Sequence, residues 1–188
     1  MKTKILELKQ KYYFSIKPNI ANILGILLGS LLIAMLAQIS IYIPFSPVPI
    51  TGQTIGVLLV GGILGSRKGL LTVIAYISEG YLGLPVFAEM SAGFPVLFGP
   101  TGGYILSFLP AVFIIGYLSE KNFTGKILPS FISCMSVTIL ILGSGTLFLS
   151  LFFGLKEALV LGFYPFIYVG LLKSFISAGI ITGYKKFS

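Results

Sequence analysis

From residue 20 to residue 43 the chain reads IANILGILLGSLLIAMLAQISIYI, without one charged side chain. A helix of about 20 such residues is what it takes to cross the hydrocarbon layer of a bilayer. The rest of the chain continues in the same character. Of its 188 residues 56% are apolar and 10% charged, and the mean hydropathy is +1.02, outside the balance of soluble domains. The apolar stretches are continuous and do not alternate, which is the pattern of helices and not of barrel strands. An all-α integral membrane protein of one domain, residues 1–188, is expected, placed as a multi-pass protein of the cell membrane.

Six spans are read over residues 20–43, 51–65, 68–82, 102–118, 127–153 and 158–184, the second and third short, the second rich in glycine, and both expected as inner, tightly packed helices or as partly unwound segments. The arm 1–19 carries Lys2, Lys4, Lys9, Lys11 and Lys17 against the single Glu7. Such an arm joined to a span marks the cytoplasmic leaflet rather than a nucleic-acid site. Every other Lys and Arg except Lys156 and Lys173 falls in the turn GSRKG, the turn 119–126 or the last residues. The positive-inside rule then places both termini in the cytoplasm and the loop 83–101 outside. No cleavable leader is expected ahead of the first span, where a basic arm leads into a full-length apolar segment. The lone Cys134 has no disulfide partner and is expected to pack.

The loop and its flanks, GLPVFAEMSAGFPVLFGPTGGY over residues 83–104, interrupt the apolar pattern with glycine, proline and hydroxyl residues. Outer elements converging there would cap a cavity between helices. Lys173 is the sharpest candidate inside it, because a charge within a span costs about 2.5–3.5 kcal/mol on insertion scales. It lies roughly 12 Å past Pro165 at about 1.5 Å per residue, and the alternative is a lysine that snorkels to the nearer interface. The chain holds no Asp, so an anion for Lys173 comes from Glu79, from Glu89 or from a ligand. Gln53, Thr51, Thr54, Ser91 and Thr101 offer neutral hydrogen-bonding groups, and GPTGGY, with Tyr104, presents backbone amides at a helix start. Gly25 and Gly29 stand four apart, a spacing that admits either another helix of this chain or a partner subunit.

Several function classes lack their residues. No GxxxxGK[ST] phosphate cradle occurs, nor any histidine or cysteine pair for a zinc or haem site. Neither enzyme nor cofactor nor metal centre is expected, and the residues leave a ligand-binding transport protein beside a small pore or structural membrane protein.

VPITGQTIGVLLVGGILGSRKG, SEGYLGLPVFA and GPTGGY, in this order and spacing, resemble the BioY proteins, the biotin-binding S components of energy-coupling factor transporters. The resemblance covers nearly the whole chain. It implies a six-helix S-component fold, an outward-facing vitamin pocket and a separate module of a transmembrane coupling protein and two ATPases. Lys173 in PFIYVGLLK matches the family's pocket lysine, whose partner would be the ligand carboxylate. Gly170 stands where the family typically has an aspartate for the ureido ring, so Gln53, Glu79, Glu89 or Ser91 would have to supply those contacts, or a less polar head such as that of lipoate would be taken. Gly25 and Gly29 match the small-residue pair that packs on the coupling protein.

Overall fold

The computed structural model describes residues 20–187; the basic arm lies outside them. Helix α1 (Ile20–Ala37) leads to a two-residue antiparallel ribbon of β1 (Ser40–Ile41) and β2 (Ile50–Thr51), in which Ser40 faces Thr51 and Ile41 faces Ile50. The proline-rich turn between them is tied to a late segment of the chain, where Ser46 Oγ donates to the Leu161 carbonyl at 2.8 Å.

Helix α2 (Gln53–Tyr81) is continuous except at Gly65, whose φ of 83° and ψ of 177° reverse the chain. Only glycine takes that backbone readily. The two arms run back along each other so closely that a Cβ on Gly69 would sit 3.2 Å from the Gly61 Cα. The turn expected over GSRKG is therefore this one residue, with Ser66, Arg67 and Lys68 already in the second arm. Gly116 of α4 (Gly102–Glu120) lies on the turn, where a Cβ would come 2.4 Å from the Ser66 nitrogen. From the end of the same helix Glu120 Oε1 accepts from the Ser66 amide at 2.7 Å and its hydroxyl at 2.8 Å. Close approach of backbones at small residues, fastened by polar side chains, is how helices associate where water supplies no driving force.

Between α2 and α4 the long loop holds a 3-10 turn, Ala88–Met90, and the short helix α3 (Phe94–Phe98). Helix α5 (Ile127–Phe153) follows α4, and then the chain departs from expectation. The last span is two helices, α6 (Leu155–Gly162) and α7 (Tyr164–Phe187), with Lys156 and Glu157 inside α6 and not in a linker. Pro165 has no amide to give to a helix arriving from upstream, so it opens α7 and does not continue α6.

Among the described residues five helical segments are long and apolar enough to cross a membrane: Ile20–Ala37, Gln53–Tyr81, Gly102–Glu120, Ile127–Phe153 and Leu155–Phe187. The hairpin at Gly65 accounts for the difference from the six read in the sequence. Gly25 and Gly29 also part company. A Cβ on Gly29 would lie 2.8 Å from Thr72 Cγ2, so this glycine seats α1 on the hairpin of its own chain, whereas a Cβ on Gly25 would meet nothing within 4 Å among the described residues.

One end of the bundle collects the Gly65 turn, the turn 119–126 and the end of α7. Lys185 donates to the Ser119 carbonyl, and Thr182 to that of Thr124 at 3.3 Å. The opposite end holds the ribbon, the long loop and the break between α6 and α7.

Candidate functional site

A cavity of about 270 Å³ opens at that second end. Five parts of the chain wall it: the turn before α2 with Gln53 and Thr54, the loop residues Phe87, Ala88, Glu89 and Ser91, the start of α4, the middle of α5, and Phe166, Gly170 and Lys173 of α7.

The polar side chains at the start of α2 form a directed chain. Thr51 Oγ1 donates to Gln53 Oε1 at 2.9 Å, Gln53 Nε2 donates to Tyr76 Oη at 2.5 Å, and Tyr76 Oη donates to the Val86 carbonyl at 3.1 Å. Tyr76 cannot reverse its role, since the carbonyl only accepts, so the Gln53 amide is fixed with its oxygen toward Thr51. Tyr104, in the first turn of α4, donates to the Gly162 carbonyl at 2.9 Å. Gly162 must be glycine at this contact, as a Cβ would lie 2.2 Å from the Tyr104 hydroxyl. The tyrosine thereby ties the break between α6 and α7 to the cavity wall.

Lys173 reaches the cavity from the first half of α7, and among the described residues its ammonium has no hydrogen-bond or ion-pair partner. Thr138 of α5 stands beside it on the same wall, 2.9 Å from the Ser174 hydroxyl. Gly170 faces Thr138 too; a Cβ there would meet Thr138 Cγ2 at 3.0 Å, a tight but not forbidden contact. One unpaired cation, a set of neutral hydrogen-bonding groups and walls of Ile105, Phe108, Ile141, Leu142 and Phe166 make a container for a small molecule with an anionic group and an apolar body. Among the described residues no group of three or more His, Cys, Asp and Glu side chains is placed to hold a metal ion.

Of the eight residues singled out from sequence for ligand contact, Gln53, Glu89, Ser91, Thr101, Tyr104, Gly170 and Lys173 line this cavity. Glu79 does not. Its carboxylate instead accepts from the fully buried Ser30 Oγ at 2.5 Å and fastens α1 to the hairpin. Two other lining groups serve the loop. Ser91 Oγ donates to the Ala88 carbonyl at 2.6 Å and Thr101 Oγ1 to that of Val96 at 3.4 Å. Sequence reasoning missed the contribution of α5 altogether, because Thr138, Ile141 and Leu142 are residues any buried membrane helix carries. It also missed Phe87, which is fully buried with its ring edge-on to Tyr76 at a centroid distance of 5.5 Å.

A sequence model of the BioY family matches residues 6–188. The chain belongs to the BioY family. Among BioY relatives it is 38% identical over 154 residues to biotin transporter BioY2 of Lactococcus lactis subsp. cremoris, covering 80% of this chain and 82% of that protein. To biotin transporter BioY of Thermotoga maritima it is 38% identical over 148 residues, covering 78% and 86% of the two chains. The crystal structure of an S-component for biotin from an ECF-type ABC transporter superposes with a TM-score of 0.79 at 25% identity, over 92% of this chain and 95% of the other. BioY membership and the five apolar helical segments make this a multi-pass protein of the cell membrane.

Proposed function

We propose that this chain is the substrate-binding membrane subunit for biotin uptake, capturing the vitamin at the outer face and delivering it through an ATP-driven energy-coupling complex. It is a transport subunit and not an enzyme. The observation that carries the reading is Lys173, an unpaired ammonium in the wall of a cavity otherwise neutral or apolar apart from Glu89 at its rim. Biotin brings a carboxylate for that ammonium, an aliphatic tail and sulfur-containing ring for the apolar wall, and a ureido group that needs hydrogen-bond partners. In this reading Gln53 and Thr51, already aligned by Tyr76, serve the ureido group together with Ser91, Thr101, Tyr104 and Glu89 of the outer rim, and the wall at Gly170 lies against the ligand.

The outer-face assignment draws on charge. Arg67, Lys68, Lys121, Lys126, Lys185 and Lys186 belong to the turns and helix end gathered at the pole away from the cavity, which the positive-inside rule places in the cytoplasm. With the two arms of α2 taken as separate crossings the chain passes the membrane six times and both termini are cytoplasmic. The loop 83–101 then caps the cavity from outside. The energising module, a transmembrane coupling protein and two ATPases, supplies the phosphate cradle that this sequence lacks, and it docks on the Gly25 side of α1.

Lipoate is the second reading, favoured by Gly170, which offers the ligand's head no polar side chain. The test is titration of the detergent-purified protein with biotin and with lipoate, for the wild type and for Lys173→Met. Saturable 1:1 biotin binding that the substitution weakens is the expected result. Lipoate binding alone would transfer the assignment to lipoate, and binding of neither would return the chain to the pore or structural class.

A further inference from the structure

The loop that walls the cavity is held in a backbone conformation its residues do not favour. Glu89 and Met90 both have φ of 56°, left-handed positions without a glycine. On one side the loop is anchored by the ring of Phe87, which sits over Gly80 where a Cβ would lie 2.1 Å from its Cζ. On the other side it is anchored by one residue just past the end of α1. Gln38 Nε2 donates to the Phe87 carbonyl at 3.0 Å and to the Ala34 carbonyl of its own helix at 3.1 Å, and Gln38 Oε1 accepts from the Met90 amide at 3.0 Å. A single side-chain amide thus binds the two ends of the segment Phe87 to Met90, one through an N–H and the other through its oxygen, while its second N–H ties it to α1.

Between those ends the chain presents Phe87, Ala88 and Glu89 to the cavity, followed by Ser91. Left-handed backbone at two successive residues other than glycine persists only where surroundings over-determine it. The surroundings here are the Phe87 ring, the turn's own bonds from the Phe87 amide to the Ser91 carbonyl and from the Ser91 amide and hydroxyl to the Ala88 carbonyl, and the Gln38 amide, which alone of these reaches Met90. Relaxation of Met90 to negative φ would turn its N–H away from Gln38 and move the wall that Glu89 completes.

We infer that Gln38 is a positioning residue for ligand retention: by holding Glu89 and Met90 left-handed it keeps the outer wall of the cavity in place, and it makes the end of α1 part of the closure. The inference deepens the biotin-binding reading and rests on it. Glutamine is required on two counts. Glutamate cannot donate to the Phe87 and Ala34 carbonyls when ionised, and alanine reaches neither partner.

The test uses the full-length protein in detergent. Biotin dissociation and association rates are measured for wild type, Gln38→Ala, Gln38→Glu and the double variant Gln38→Ala, Met90→Gly. The Met90 side chain is 67% exposed and does not line the cavity, so the glycine changes only the backbone preference. Gln38→Ala and Gln38→Glu are expected to speed release about tenfold with association changed far less. Glycine at position 90 accepts the left-handed backbone without cost, so the double variant recovers most of the retention, which a merely structural loss at the end of α1 would not allow. Amide hydrogen exchange of the ligand-free protein gives a readout independent of the ligand: residues 87–91 exchange faster in Gln38→Ala while the α2 hairpin does not. Unchanged release and unchanged exchange overturn the inference, as does a double variant no slower than Gln38→Ala. Faster exchange in a protein whose wild type binds no biotin would sink the biotin reading and leave the positioning role standing.

Discussion

Gln53 and Tyr76, at the open ends of the two arms that separate at Gly65, meet through a hydrogen bond of 2.5 Å. This contact closes the hairpin at its outer end as Gly61 and Gly69 close it near the turn. It also fixes a cavity-lining amide before any ligand arrives.

Tyr76→Phe removes the hydroxyl and keeps the ring against Phe87. It leaves Gln53 Nε2 and the Val86 carbonyl without their partner, at an expected stability cost of about 1–3 kcal/mol. The freed amide must then be immobilised on binding, at about 0.5–1.5 kcal/mol. Calorimetric titration is expected to give a biotin Kd higher by about 2- to 10-fold. An unchanged Kd would show that Gln53 does not face the ligand.

Lys173→Met separates binding from folding, because the two respond with opposite sign. The ligand-free protein loses a half-buried charge without a partner among the described residues and is expected to melt higher, by about 2–4 °C for each kcal/mol gained. Biotin binding is expected to weaken by about 2–5 kcal/mol, the range for losing one member of a desolvated charge pair. Equal affinity in the two proteins would place the carboxylate elsewhere.

The two glycines of α1 are expected to behave differently. Gly29→Leu drives its side chain into Thr72 and Val60 and should destabilise the isolated protein by about 1–3 kcal/mol, the usual cost of overpacking. A Cβ at Gly25 meets nothing within 4 Å among the described residues, so Gly25→Leu should leave melting temperature and biotin affinity unchanged. Its effect belongs to co-purification with the energising module and to cellular uptake, both of which should fall. Normal uptake by Gly25→Leu would move the docking surface off this part of α1.

Gly170→Asp tests the head-group preference. The added side chain must displace Thr138 by a few tenths of an ångström, and it then offers a carboxylate to the cavity one turn from Lys173. The ratio of lipoate Kd to biotin Kd is expected to rise about tenfold, the scale of one hydrogen bond to a charged group. A ratio that stays level would remove position 170 from the determinants of specificity.

Much of this was legible in the linear chain. Apolar runs longer than a bilayer is thick leave a chain with helices and little else, and basic residues confined to certain turns sort those turns onto one side. A lysine in the middle of such a run marks itself as a candidate, since its cost must be offset by a functional partner or by snorkelling to the interface. Those statements depend on composition along the chain and on the solvent, so Lys173 and the glycine-rich loop could be found without coordinates. What only the tertiary structure decided is where short polar side chains point. Glu79 and Glu89 look equivalent in sequence, yet Ser30 on a neighbouring helix takes the first away from the cavity and the loop carries the second to its rim. Thr138 and Gln38 resemble ordinary residues of apolar helices until α7 and the segment Phe87 to Met90 are laid against them. The reversal at Gly65, by contrast, falls in the turn already read at GSRKG, while the break before Pro165 divides what reads in sequence as a single span. Hydrogen bonds between residues far apart in sequence have no periodicity to read, because their partners are chosen by packing.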